Sequence, residues 1–111
     1  VLETRELEAF FPGEIASILW ALNKVHVDYP AFFKRFRDHI LHHGLQGYNS
    51  QDIANITCAY VNTKTGDDEI YLALADAANA RASSFNRSER MMMHWAFSQL
   101  PHLPAPRLAG A

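Results

Sequence analysis

His39, His42 and His43 stand at i, i+3 and i+4, just before Gly44. On a helix, His39 and His43 share one face at a spacing that could hold a metal ion. No HExxH, no cysteine pair and no carboxylate partner accompanies them, and histidines in a last turn also favour the helix dipole. We therefore expect no metal site. Cys58 is the one cysteine. It has no nucleophile signature around it, so a buried, inert thiol is expected. No Gly-rich phosphate loop, nucleophile elbow or marked carboxylate pair occurs. The expectation is a protein that is not an enzyme, with no cofactor and no small-molecule substrate.

The remaining chemistry is that of binding. Lys34, Arg35 and Arg37 form a basic group, and Arg81, Arg87 and Arg90 a second. The first is the better candidate for phosphate contact; a solvated helix face balanced by Asp38 explains it as well. Trp20 and Trp95 could stack a base or, as large aromatics usually do, pack against neighbouring helices. In the run Met91-Met92-Met93, Met92 falls on an outward face, where a thioether suits protein contact.

Composition limits these readings. The 111 residues are 49 % apolar and 20 % charged, which is globular composition and fits one domain. The net charge is −2 and the pI about 6.3. Tight autonomous nucleic-acid binding normally needs a basic excess, absent here. A lone cysteine allows no intrachain disulfide, which fits a reducing compartment or a buried thiol. No apolar run approaches the roughly 18 residues of a membrane span. The chain opens on Val1 without a leader pattern and reads as a trimmed fragment.

The elements that must position these residues repeat. Phe10–Val25 (FFPGEIASILWALNKV) returns altered as Tyr48–Thr63 (YNSQDIANITCAYVNT) and Phe85–Leu100 (FNRSERMMMHWAFSQL). The opening aromatics Phe10, Tyr48 and Phe85 are 38 and 37 residues apart. Such a period marks stacked repeats. The spacing predicts a first helix from about Pro12 to Val25 with Ile15, Ile18, Leu19, Leu22 and Val25 on its apolar stripe. Asn49 with Asp52, and Asn86 with Glu89, predict capping boxes; Phe11 breaks that pattern in the first copy. A second helix is expected from after Asp28-Tyr29-Pro30 to His43, burying Phe32, Phe33, Phe36 and Ile40. Its counterpart runs from about Asp68 to Arg81 with Ile70, Tyr71, Leu74 and Ala78 inside. Pro101, Pro104 and Pro106 stop the third copy and predict an extended tail.

The expected fold is all-α, an αα-hairpin repeat solenoid of about two and a half repeats. Residues 1–9 would be the end of a preceding helix or a cap, 10–100 the repeats (10–47, 48–84 and a partial 85–100), and 101–111 the Pro-rich tail. Neighbouring proteins would cover the open ends of so short an array.

At 100° per residue, one set of positions faces away from the apolar stripe. It comprises Gly13, Gln51 and Ser88; Ser17, Asn55 and Met92; Trp20, Cys58 and Trp95; and Lys24, Asn62 and Gln99. The Asn, Gln, Ser and Lys residues of this set, in register along stacked helices, would form a polar ladder of the kind with which helical-repeat RNA readers contact bases, the second copy with Gln51, Asn55 and Asn62 being the most reader-like. A plain solvated face is the other reading. The RNA-contact candidates are thus Lys34, Arg35, Arg37, Gln51, Asn55, Asn62 and Arg87, and the protein-contact candidates Trp20, Met92 and Trp95.

The pattern aromatic-x-x-x-[ED]-I-A-[NS]-I-x-x-A in the first two copies, with Trp20 and Trp95 in two of three, resembles the heptatricopeptide and octotricopeptide repeats. These occur in RAP-type and FAST-kinase-like organellar proteins. The resemblance covers about Phe10 to Leu100; the third copy departs from it at Arg90-Met91-Met92, and no RAP domain is visible. It implies a helical-repeat subunit of an RNA–protein assembly in the mitochondrial matrix, with the mitochondrial ribosome as the specific expectation. Ribosomal or other organellar RNA and neighbouring proteins would be its partners, with no membrane. A protein-binding scaffold without RNA contact is the alternative.

Overall fold

A computed structural model describes residues 12–24 and 30–108. It holds five α-helices and no strand among the described residues: α1 Pro12–Lys24, α2 Pro30–His43, α3 Ser50–Thr63, α4 Asp68–Ala80 and α5 Arg87–Ser98. The segment 1–9, Phe10, Phe11, Val25 and the side chain of Leu22 lie outside the described residues. All-α architecture is as the sequence predicts.

Local signals start and stop the helices. Asn49 accepts from the Asp52 amide while the Asp52 carboxylate accepts from the Asn49 amide; Asn86 and Glu89 repeat this at α5. Each pair satisfies two amides that a helix start leaves open. Asp67 caps α4 through Ile70 N–H. α3 ends at Lys64 in the left-handed region (φ 58°), and Gly44 (φ 82°) follows α2. There a glycine carries no steric penalty and the lysine does.

Helices α1 and α5 flank α3, while α2 packs on α4 and α4 on α3. The seams bury Ile15, Leu19, Ile53, Ile56, Met93 and Phe97 from α1, α3 and α5, and Phe33, Phe36, Ile40, Ile70 and Leu74 from α2 and α4. Phe32 and Ile18 are only half-buried at the core edge. Ala16 and Ala54 are fully buried, small enough to let neighbouring helices approach. The Tyr60 hydroxyl donates to the Phe33 carbonyl at 2.6 Å and ties the layers together, and the Phe33 ring meets the Tyr60 ring edge-on at 5.3 Å.

Residues 101–108 form no helix, as the prolines require, but they are not a free tail. Pro106 and Leu108 are buried and Leu103 packs on the core. His102 bonds Asp68 at 2.9 Å, and the Arg107 amide donates to Asn79 Oδ1 at 2.7 Å. The segment therefore follows α4 from its first residue to nearly its last. Residues 101–103 turn back on α5, the Leu103 amide donating to the Leu100 carbonyl at 3.0 Å, and residues 104–108 continue as a non-helical strap.

Candidate functional site

The outward positions of α1, α3 and α5 meet in one trough. Trp20, Cys58, Asn62, Ser88, Met91, Met92 and Trp95 line a cavity of about 520 Å³, open to solvent. Six of these seven belong to the set that helical geometry turns away from the apolar stripe. Cross-links keep the helices in register. Ser50 reaches the Ser84 carbonyl at 3.2 Å and the Glu89 carboxylate at 3.1 Å, and the Cys58 thiol donates to the Met92 carbonyl at 3.5 Å.

Trp20 is half-buried with the Lys24 ammonium 5.8 Å from its ring. Met92 is half-buried too, while Trp95 is 45 % exposed. Cys58 forms the floor, and burial pushes its thiol up to about 11. At neutral pH it is neutral, a packing group and no nucleophile. Trp95 and Asn62 also line a second cavity of about 470 Å³, whose walls include Lys64, Asp67, Asp68, Tyr71, Gln99 and His102.

Met91 is the site residue that the sequence reading passes over. It is 61 % exposed, whereas the equivalent Ala16 and Ala54 are buried. Those alanines sit where a neighbouring helix comes close; no helix follows α5 among the described residues. The change from alanine to methionine at a fixed repeat position was the available signal.

The basic candidates lie elsewhere. Lys34, Arg35 and Arg37 are on α2, outside the α1–α3–α5 layer, with Lys34 exposed. Arg35 is half-buried, and its Nη1 has no hydrogen-bond partner among the described residues. Arg37 is occupied: Nε donates to Asp67 Oδ2 at 2.8 Å, Nη1 to Asp38 at 2.6 Å and Nη2 to Glu69 at 2.8 Å. The Asp67 bond does most to hold the guanidinium above its ordinary pKa, and Arg37 in turn lowers that of Asp67. Arg81 donates to the Ala77 and Leu45 carbonyls, and Arg90 to the Phe85 carbonyl. Arg87 is exposed at the start of α5.

In the polar ladder, Gln51 is exposed and Asn55 half-buried on α3, both outside the trough lining; Asn62 of α3 and Ser88 of α5 line it. The His39 and His43 rings lie 4.5 Å apart, and the described residues contain no group of three or more metal-ligating side chains. Comparison with protein-family models, with curated proteins and with solved structures finds no match to the chain.

Proposed function

We propose that the chain is a non-enzymatic helical-repeat unit, a stack of αα-hairpins, serving as a docking subunit of a mitochondrial RNA–protein assembly, the mitochondrial ribosome being the specific candidate. The compartment and the assembly rest on the repeat resemblance. The docking role is carried by one observation: repeat-equivalent positions on three helices converge on an apolar trough with Trp95 and Met91 left exposed. Aromatic and thioether groups clustered in one open groove suit a protein contact more than an idle surface. The period of the sequence and the pairing of α1 with α3 and of α2 with α4 support the stacked-hairpin description.

Sucrose-gradient sedimentation of mitochondrial lysate tests it. The chain should travel with ribosomal particles, and Met91→Glu should release it to the top of the gradient. Sedimentation at the free-protein position in wild type would overturn the assembly; unchanged sedimentation of the variant would overturn the trough.

A direct RNA contact is a second reading, supported by exposed Lys34 with half-buried Arg35 beside it on the same helix. Filter binding to ribosomal RNA across a salt series checks it. A slope that falls by about one for each of Lys34→Ala and Arg35→Ala supports phosphate contact. A flat response leaves the scaffold without RNA contact. Arg37, with three carboxylates around it, is expected to add little to that slope.

A further inference from the structure

The geometry of the trough limits its occupant. Its α5 wall runs from Ser88 to Trp95, about two helical turns; with the adjoining second cavity, which shares Trp95 and Asn62 and reaches Gln99 just past α5, the groove extends about three turns or roughly 16 Å. Beside Cys58 and Asn62 on α3, the walls present Trp20, Met91, Met92 and Trp95, without one charged side chain. Past Trp95 and Asn62 the lining changes. Asp67, already paired with Arg37, Asp68 and Lys64 stand there, and Asp68, 64 % exposed, is held by His102.

We infer that the trough takes an amphipathic α-helix of a partner protein. The helix is about three turns long, with apolar residues at i, i+3 or i+4, and i+7, and a Lys or Arg at the end that reaches Asp68. The inference rests on the docking reading above and names its ligand. A helix satisfies its own backbone, so it can lie against uncharged walls; an extended peptide would find no sheet edge to pair with among the described residues. A phosphate backbone would find, among the described residues, the single cation of Lys24 over the Trp20 ring along the apolar section, too few to hold it. Methionines at one wall adapt to the side chains that enter. Asp68, the far-end carboxylate that Arg37 does not engage, selects a basic residue there, with the Lys or Arg replacing His102.

Phage-displayed helical segments of about 12 residues, selected on the full chain, test this. Winners are then titrated by fluorescence polarisation. The enriched sequences should carry the apolar spacing and a terminal Lys or Arg. Met91→Glu, an exposed change that spares the core, should weaken them about tenfold or more, and Asp68→Asn by several-fold for the basic peptides alone. Met91-dependent peptides without the basic end, or indifferent to Asp68→Asn, overturn the helix assignment while the docking reading stands. The inference and the docking reading both fall if no peptide depends on Met91 and an oligouridylate of roughly 15 nucleotides binds in a Met91-dependent way. A dimer in sedimentation equilibrium that Met91→Glu dissolves makes the occupant a second copy and overturns the inference.

Discussion

Asp67 divides its carboxylate between two tasks, with Oδ2 accepting from Arg37 at 2.8 Å and Oδ1 from the Ile70 amide at 3.0 Å. One side chain thus starts α4 and fastens it to α2. Asp67→Asn keeps a good cap and loses the ion pair, at a cost of about 0.5–1 kcal/mol because Asp67 is half-exposed. Asp67→Ala loses both and should cost about 1–2 kcal/mol. Urea unfolding of the two variants separates the terms; equal losses would mean that the cap contributes nothing.

The same pair sets an acid response. Arg37 first, and the Ile70 amide next, lower the pKa of Asp67. The resulting stabilisation is fully present above the ordinary carboxylate value of about 4 and is lost as pH falls through the lower folded-state value. Thermal unfolding between pH 7 and pH 2 should therefore show wild type losing more stability than Asp67→Asn below about pH 4. Parallel curves would refute the assignment.

Gly66 is small for a local reason. A Cβ there would run into the hydroxyl end of the buried Tyr71 ring. Gly66→Ala should destabilise by about 1–3 kcal/mol. With Tyr71→Leu in the background, the added loss from Gly66→Ala should shrink, since the clashing group is gone. A double-mutant cycle reads this coupling, and strict additivity would place the strain elsewhere.

Cys58 should be slow to label. Burial raises its thiol from 9.0 to about 11, which lowers the thiolate fraction about a hundredfold, and steric closure adds to that. Reaction with a disulfide reagent at pH 8 should be at least about a hundredfold slower than for the unfolded chain. Fast labelling of the native protein would mean that the floor of the trough opens.

The strap of residues 101–108 should stabilise as well as finish the fold. Leu108→Ala should cost about 1–3 kcal/mol, and truncation after Leu100 more, about 2–4 kcal/mol, as Leu103, Pro106 and Leu108 leave the core together. Truncation should also raise fluorescent-dye binding by exposed apolar surface. No change in melting temperature would show the strap to be ornamental.

Much of this was legible in the residue order. The caps at Asn49 and Asn86 are local chemistry, decided within four residues. So are the helices, whose apolar spacing put Ile15, Phe36, Ile40 and Leu74 inside. Helical angle alone also grouped Trp20, Cys58 and Trp95 on one face. The order of residues could not show that Arg37 meets Asp67 and Glu69, 30 and 32 positions later, because that pairing depends on how α2 lies on α4. Hence the sequence grouped Arg37 with Lys34 and Arg35 as a candidate phosphate contact balanced at most by Asp38, while in the fold its donors are taken. Nor could it show that Lys34 and Arg35 lie on a different layer from the polar ladder, or that a proline-rich segment folds back along α4. The period and the caps fixed which helices form, since those are short-range effects. Which side chains share a surface was left to packing, which brings residues nearly forty positions apart into one trough.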